Sequence, residues 1–418
     1  MSTVLTASVI AKRALVRLEN ELGVINMFHR AYEDEFTAKV NGYKKGDTIS
    51  IRRPVDYVLR DGAVMDVQES IEGKVDLTIN KQVGVDLSFT SKDMTLSVDQ
   101  FDERFLKSAV STIVNGVALD CLQKFTPYVY NYVGTPNTLV DSYDDFSRVG
   151  ERMNYMAVPM SDRMAIFNPT DKRGLTSNLT SLYIAGDARK AYRDGEMGVL
   201  DGFDQAAMTQ IMPAQDYGTA DNTTPLTDGN SQEVTYDTAK NTWSQTLLTD
   251  GWATSKTLKL GQVFTIAGVY MVNPRTKQST GILQNFVVLE NVTTASNGAN
   301  NTDFLISPPI ITSGPHQTVT YSGNFDGLAI TLIGPASGTA QTYRQNIAFA
   351  KGAFALAMVP MEMPQAVGDK GSRETYKGLS IRLIPVYDGT NDVEKWRLDV
   401  LYGAKTIDPR KAVRFSGT

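Results

Sequence analysis

The density of charged residues falls abruptly in one internal part of the chain. Between Gln215 and Ala340 only 14 of 126 residues are Asp, Glu, Lys or Arg, whereas the other 292 residues contain 73 of them. Short apolar runs alternate there with Gly, Asn, Pro and Ser, a pattern typical of short antiparallel strands joined by turns. An internal segment whose composition differs from that of both flanking parts indicates an inserted domain. The pattern of short strands predicts that this domain is a small antiparallel barrel or sandwich.

The flanking sequence predicts two long helices. In residues 8 to 22, Ile10, Ala14, Leu18 and Leu22 share one face, which predicts an amphipathic arm helix. Such an arm either packs on its own domain or docks on a neighbouring molecule. Residues 97 to 125 carry two adjacent apolar stripes after a Ser-X-X-Gln capping box, which predicts a helix with a wide buried face that acts as a structural spine.

Between these helices lies an extended ribbon. The stretch "VDLTINKQVGVDLSF", residues 75 to 89, alternates apolar and polar side chains as a strand does. An earlier strand-like stretch, "DTISIRRPV", is separated from it by a segment rich in charges of both signs. We expect a long hairpin whose tip has no core of its own, and a connection of about twenty residues is uncommon in a compact domain unless it is functional.

Composition excludes several classes of protein. A hydrophobic content of 42% and a charged content of 21% are those of an ordinary globular chain. The net charge of −5 argues against tight binding of nucleic acid. One cysteine, Cys121, excludes an intramolecular disulfide and suits a reducing compartment. Lys12 and Arg13 interrupt the apolar residues near the N-terminus, so we expect neither a signal peptide nor a membrane span there.

The sequence contains no catalytic or metal-binding motif. The two histidines, His29 and His316, have no partner in a zinc-binding spacing and are expected to be surface or packing residues. Cys121 lies on an apolar stripe of the spine helix, which favours a buried, inert thiol. The Asp144-Asp145 pair is followed by Arg148 and Arg152, a spacing that favours ion pairs on a helix over an acid/base couple. We therefore predict no enzymatic activity and no cofactor.

An ordered set of segments resembles the major capsid proteins of short-tailed double-stranded-DNA phages. The set comprises the arm helix, the charged loop, "SVDQFDERFLKSAV", an Asn-Pro turn after "AIF", "AYRDGEMGVLDGFDQAAM", "LKLGQVFTIAGV" and "LYGAKTIDPRKAV". The resemblance is to the branch of that family with an inserted domain. It implies an α+β HK-97-type capsid fold, with a peripheral domain, an axial domain, an extended loop and an inserted antiparallel β-barrel.

The resemblance also implies how the chain is divided. The expected segments are an N-terminal arm (1–35), the extended loop with peripheral-domain strands (36–92), the spine helix and peripheral domain (93–160), the axial domain (161–215 and 343–394), the inserted barrel (216–342) and a C-terminal peripheral-domain strand (395–418). No set of residues for covalent crosslinking between subunits is identified.

The function implied is that of a coat protein that self-assembles as pentamers and hexamers into an icosahedral phage shell. The expected partners are further copies of the chain, a scaffolding protein, a portal protein and the packaged DNA, with assembly in the host cytoplasm and no membrane. The candidate intersubunit or interdomain contacts are charged residues of the loop and of the "AYRDG" segment: Arg52, Arg53, Arg60, Asp61, Glu69, Glu72, Lys74, Arg193 and Asp194. As solvated pairs these would each contribute only about 0 to 1 kcal/mol.

Two alternatives fit the same residues. One is a cellular nanocompartment shell of the same fold. The other is a carbohydrate-binding β protein in which Trp243 and Trp252 of the insertion form a sugar platform, although packing in a core is the more common role of tryptophan.

Overall fold

The structure, a computed structural model, divides into two compact units. It describes residues 7–21, 23–30, 48–65, 67–90, 105–181, 199–209, 211–221, 225–295, 301–334, 338–365, 371–376, 379–388, 390 and 393–418. The first unit takes the described residues of Met1–Ser50, Asp76–Leu122 and Phe354–Lys405, and the second takes those of Ile51–Val75, Gln123–Ala353 and Thr406–Thr418. The sequence segments cut across these units, because the loop and residues 406–418 both belong to the second.

Helices and strands both contribute, as the α+β prediction requires. Among the described residues, the α-helices are α1 (Ala7–Glu21), α2 (Lys107–Phe125), α3 (Tyr143–Tyr155), α4 (Pro169–Ser181) and α5 (Tyr236–Ala239). Short 3-10 turns occupy Gly23–Met27, Thr126–Tyr128 and Pro409–Lys411. The two-stranded ribbon that leads into the charged loop is formed by β1 (Thr48–Arg52) and β2 (Lys74–Thr78).

The first unit is built on an antiparallel sheet. Its strands are β3 (Lys81–Thr90), β20 (Phe354–Val359), β21 (Ser372–Tyr376), β22 (Leu379–Asp388) and β23 (Val393–Thr406). β3 pairs with β23 along its whole length, so this part of the predicted ribbon is covered by the chain itself. Helix α1 packs on β21 and β22 with Ile10, Ala14 and Leu18 buried, which is the arrangement expected of an arm that folds onto its own domain.

The spine helix α2 has the wide buried face that its two stripes predict. The α-helix begins at Lys107, and the capping-box residues Ser97 and Gln100 lie outside the described residues. Cys121 is fully buried, as expected of an inert packing thiol. Asp120 accepts a hydrogen bond from the Tyr402 hydroxyl (2.8 Å) and pairs with Lys81, which ties α2 to β23 and β3.

The second unit contains a mixed sheet with an aromatic core. Its strand order is β4 (Tyr132–Val133), β24 (Ala412–Phe415), β19 (Asn346–Ala350), β5 (Arg163–Phe167) and β6 (Gln205–Met208). Phe146 of α3 packs against Phe167, Phe203 and Phe415, with ring centroids 5.3, 4.9 and 5.9 Å away. In α3, Asp144 and Arg148 form the predicted ion pair (2.8 Å), whereas Asp145 is buried as part of a capping box with Ser142.

The predicted turn at Asn168-Pro169 is instead the start of α4. Proline is favoured in the first turn of a helix because its φ angle is already helical and its missing N–H needs no partner there. The Asn168 side-chain oxygen accepts a hydrogen bond from the backbone N–H of Thr170 (3.0 Å), which caps the helix. The Asn-Pro signal correctly marks the end of strand β5, but the chain continues from it as a helix.

The low-charge insertion forms an antiparallel sheet, as its sequence predicts. The six strands of this sheet are β9 (Gln245–Leu247), β12 (Val263–Val272), β13 (Ser279–Val288), β15 (Phe304–Ser307), β16 (Val319–Thr320) and β17 (Ile330–Ile333). Three short antiparallel pairs accompany it: β7 (Gln215–Tyr217) with β18 (Gln341–Tyr343), β8 (Leu226–Thr227) with β10 (Thr249–Asp250), and β11 (Thr257–Leu258) with β14 (Val292–Thr293).

The central strands of the insertion are buried on both faces where Val263 and Phe264 of β12 pair with Val287 and Phe286 of β13. Phe264 and Phe286 face the insertion's own core, which also holds Trp252. The neighbouring residues in the two strands, Val263 and Val287, face the opposite side of the sheet and belong to the core around Phe146. The insertion therefore shares a hydrophobic core with the mixed sheet, and removing it would expose that core to water.

Arg414 contacts both segments that connect the insertion to the rest of the second unit. We call these two segments the stem of the insertion. Its buried guanidinium donates to the side-chain oxygens of Gln215 (3.1 Å) and Gln345 (3.5 Å), and to the backbone oxygens of Gly261 (2.7 Å) and Val129 (2.9 Å). Burial without a carboxylate partner lowers the pKa of Arg414. A buried charge of this kind is tolerated only because acceptors surround it.

We expect Arg414→Met to lower the free energy of unfolding of the second unit by about 3 kcal/mol, because several buried acceptors lose a charged donor. Urea denaturation followed by tryptophan fluorescence reports on it, since Trp243 and Trp252 both lie in the insertion. The control is Arg275→Met, which changes the same charge at an exposed position. Equal midpoints for the two variants would contradict the role given to Arg414.

Candidate interaction site: the charged loop and its base

The predicted loop is a narrow ribbon of residues 53–73 held by side chains. No regular strand occurs among its described residues, 53–65 and 67–73. The Tyr57 hydroxyl bonds the Ser70 hydroxyl across the ribbon (2.9 Å). The Gln68 amide accepts from the backbone N–H of Val58 (2.8 Å) and donates to the carbonyl of the same residue (2.7 Å). These contacts give the loop a defined shape without regular secondary structure.

Most of the predicted charged residues lie on the exposed surface of this loop. Arg52 and Glu72 form an ion pair across it (3.0 Å), with 81% and 48% of their side chains exposed. Arg60 donates to the carbonyl of Ala63 (3.1 Å) in the turn at the tip. The remaining three predicted residues of the loop region are also exposed: Asp61, Glu69 and Lys74. Arg193 and Asp194 lie outside the described residues.

Arg53 differs from its exposed neighbour Arg52 because it turns toward the insertion. Its guanidinium carbon lies 5.5 Å from the centre of the Trp243 ring, a cation–π distance. Burial lowers the pKa of Arg53, and this effect outweighs the opposing influence of Asp408. The backbone N–H of Arg53 donates to the carbonyl of Gly73 (2.8 Å), which closes the loop at its base. Arg53 is therefore an intramolecular anchor rather than a surface charge.

Beneath Arg53, Arg410 joins two carboxylates from distant parts of the chain. It donates to Asp408 (2.9 and 3.2 Å) and to Asp56 of the loop (2.6 Å), and its guanidinium carbon lies 5.4 Å from the centre of the Trp243 ring. Burial alone would raise the pKa of Asp408, but Arg410 outweighs it and lowers that pKa to about 2. Burial disfavours the charge on Arg410, yet Asp408 raises its pKa above the ordinary value.

His316 completes this group of residues. Its ring stacks on Tyr236 of α5, with centroids 3.5 Å apart and planes 13° apart, and its Nδ1 lies 3.6 Å from an Asp56 oxygen. Burial is the main reason that the pKa of His316 falls to about 4. It is thus a packing histidine, one of the two roles expected for it. We call Arg53, Asp56, Tyr236, Trp243, His316, Asp408 and Arg410 the loop-base cluster.

Apolar and backbone contacts hold the part of the loop that leads into β2 against α5. Ile71 packs on a small apolar cluster that contains Tyr236, Trp243 and Ile311. A Cβ atom at Gly73 would lie 2.2 Å from the carbonyl oxygen of Lys240, so only glycine permits this approach. The backbone N–H of Lys74 then donates to the side chain of Asn241 (3.1 Å). The insertion thus supports the base of the loop directly.

The tip of the loop exposes apolar side chains that the charge-based analysis did not single out. Leu59, Val64, Met65 and Val67 are 92, 83, 78 and 77% exposed. A run of exposed apolar side chains on a protruding loop is typical of a surface that binds another protein. The sequence contains a signal for this apolar surface. The four apolar residues lie in a charged segment and follow neither helix nor strand periodicity, so the pattern assigns them to no buried face.

The structure gives no support to a sugar platform. Trp243 and Trp252 are only 4% and 1% exposed, and Trp252 donates its indole N–H to Thr249 (2.7 Å) inside the insertion. In the described ranges, no three His, Cys, Asp or Glu side chains are arranged to hold a metal ion. No helix in the part of the chain that the structure describes is long and apolar enough to cross a membrane.

Comparisons with known proteins identify the family. The model of the P22 coat protein family (gene protein 5) matches residues 27–417, and the chain belongs to that family. The major capsid protein of Acyrthosiphon pisum secondary endosymbiont phage 1 is 22% identical over 390 residues, which cover 89% of each chain. The protein is a phage capsid protein, as the resemblance in its sequence predicted.

Solved structures similar to this chain include those of two phages. One, from Mycobacterium phage Che8, is 14% identical with a TM-score of 0.45 and covers 94% of this chain and 91% of that one. The other, the capsid of Ralstonia phage GP4, is 9% identical with a TM-score of 0.40 and covers 89% and 83%.

Arg410 and Arg52 both bind carboxylates at the base of the loop, but they should contribute differently to the free energy of unfolding. We expect Arg410→Met to cost about 3 to 5 kcal/mol of unfolding free energy, because the buried Asp56 would lose the cation that binds it and Asp408 would keep only Lys411, 3.6 Å away. The matched variant Arg52→Met removes one half of an exposed pair and should cost no more than about 1 kcal/mol. Urea unfolding of the unassembled chain measures both. A cost for Arg52→Met as large as that for Arg410→Met would show that the base is not specially dependent on Arg410.

Proposed function

We propose that copies of this chain assemble as pentamers and hexamers into an icosahedral HK-97-type shell around double-stranded DNA, and that the loop of residues 53–73 lies on a neighbouring copy. The observation that carries the proposal is a loop with an anchored base and an apolar tip. The fold secures Arg53, Asp56 and Ile71 at the base, while Leu59 at the tip is 92% exposed.

Both kinds of surface on the loop suit another copy as the partner. The apolar tip supplies the area whose burial drives association, at about 25 cal/mol per Å² removed from water. The charges of both signs around it, including Arg60, Asp61 and Glu69, set register and partner choice more than affinity. A shell repeats this contact at every subunit, so a modest pairwise affinity is enough for a stable particle.

The division of the chain into arm, peripheral, axial and inserted segments belongs to the same proposal, with the boundaries that the sequence predicts. So do a scaffolding protein during assembly, a portal at one vertex, assembly in the host cytoplasm and the absence of enzymatic activity. The net charge of −5 supports a container that does not bind its packaged DNA strongly.

The first experiment is electron microscopy and sedimentation of the purified full chain, expressed with and without a co-expressed scaffolding protein. Closed shells or tubes in either preparation are the expected result. A monodisperse monomer or dimer in both would overturn the proposal.

The tip is tested by Leu59→Asp. A carboxylate at the centre of an apolar contact would be buried without a partner, so we expect at least a roughly tenfold higher protein concentration to be needed for assembly. The control Leu59→Met keeps an apolar side chain of similar volume and should assemble normally. The unassembled variants should unfold at the same urea concentration as the parent chain, since Leu59 is exposed. Normal assembly of Leu59→Asp would exclude the tip from the contact.

A further inference from the structure

The apolar tip of the loop contains a methionine whose thioether faces water. The Met65 side chain is 78% exposed, which makes it the most accessible methionine among the described residues, ahead of Met160 at 69%. The other apolar residues of the tip, Leu59, Val64 and Val67, are exposed to a similar extent. A reagent in water therefore reaches the Met65 sulfur without any opening of the fold.

The thioether is the group of this apolar surface that peroxides attack. A hydroperoxide transfers one oxygen atom to the sulfur, which loses two electrons and becomes a sulfoxide, while the peroxide is reduced to an alcohol or, for hydrogen peroxide, to water. The reaction needs access to the sulfur, so Met65 should react before a fully buried methionine such as Met153. The hydrocarbon side chains of Leu59 and Val64 do not react.

Oxidation changes the chemistry of the tip at its most adaptable side chain. Methionine is flexible and apolar, and it adjusts to irregular apolar partners. Its sulfoxide is polar, and the added oxygen needs a hydrogen-bond donor when it is removed from water. The side chains of Leu59, Val64 and Val67 offer no donor. Burial of the sulfoxide in an apolar contact would therefore leave its oxygen unpaired.

We propose that Met65 is an oxidation site that makes assembly sensitive to peroxide: a hydroperoxide converts its thioether to a sulfoxide, and the sulfoxide weakens the binding of the tip to a neighbouring copy. The reaction at Met65 depends on exposure alone, whereas its effect on assembly rests on the proposed role of the tip. The change is reversible, because methionine sulfoxide reductases and a dithiol return the sulfoxide to the thioether, with a disulfide and water as the other products.

Met160 provides a comparison within the same chain. It lies in the connection between α3 and β5, beside Ser161 and Asp162, which are exposed as well. Its exposure is close to that of Met65, but it lacks the group of exposed apolar side chains that characterises the tip. The two methionines should therefore take up oxygen at similar rates, and only the reaction at Met65 should affect assembly.

The test treats the full, unassembled chain with hydrogen peroxide, removes the peroxide and then starts assembly under the condition in which the untreated chain assembles. Mass spectrometry of peptides gives the fraction of sulfoxide at each methionine, and sedimentation gives the protein concentration needed for assembly. The chain has 15 methionines, so Met65→Leu and Met160→Leu are needed to assign the effect. Both substitutions keep an apolar side chain of similar volume.

Met65 and Met160 should oxidise at least about tenfold faster than Met153, and the midpoint of urea unfolding should not change while only exposed methionines have reacted. Oxidation should raise the concentration needed for assembly about tenfold in the parent chain and in Met160→Leu, and should leave it unchanged in Met65→Leu. Methionine sulfoxide reductases A and B with dithiothreitol should restore assembly of the oxidised parent chain.

Oxidation of Met65 as slow as that of Met153 would overturn the inference. So would an equal loss of assembly in oxidised Met65→Leu, or a loss that persists after the reductases have removed the sulfoxide. If the oxidised parent chain assembles normally while Leu59→Asp does not, the inference fails and the proposed role of the tip stands. If both assemble normally, the tip is not in the contact. If no preparation assembles, the proposed function and the inference fail together.

Discussion

The guanidinium of Arg410 neutralises two carboxylates that the fold has removed from water. A buried ion pair of this kind adds little stability compared with a well-packed apolar group, but it is costly to separate once formed. Here Asp408 lies in the same segment as Arg410, whereas Asp56 belongs to the loop. The position of the loop is thus fixed by the cost of leaving Asp56 without its partner, a constraint more specific than apolar packing.

Residues 406–418 hold together several parts of the second unit. Arg410 secures the base of the loop, and four residues later Arg414 secures the stem of the insertion. Between and beyond them, β24 pairs with β19 and β4 in the mixed sheet, and Thr418 donates from its N–H and its hydroxyl to Asp145 of α3 (3.1 and 2.6 Å). The two arginines use different chemistry, because Arg410 binds carboxylates while Arg414 is surrounded by uncharged acceptors.

The sequence was informative where structure depends on neighbours along the chain. The periodicities of α1 and of the spine helix reflect local geometry, and the low charge of residues 215–340 marks an insertion with a hydrophobic core of its own. The base of the loop was not predictable in this way, because Asp56 and Arg410 are 354 positions apart. Arg52 and Arg53 show the limit most directly: they are adjacent and chemically identical, yet only one of them contacts Trp243.

The loop combines a fixed base with an exposed tip, and this combination bears on how an insertion influences assembly. A protruding segment that binds a partner loses less conformational entropy if its attachment and internal contacts are already formed. The insertion supplies the attachment through Trp243, Tyr236 and His316, while the Tyr57–Ser70 and Val58–Gln68 contacts shape the ribbon beyond it. In the proposed shell the insertion would then strengthen the contact between subunits by holding the base of the loop that makes it. A substitution in the loop-base cluster should therefore also affect the conformation of the tip, because the same short ribbon connects the two.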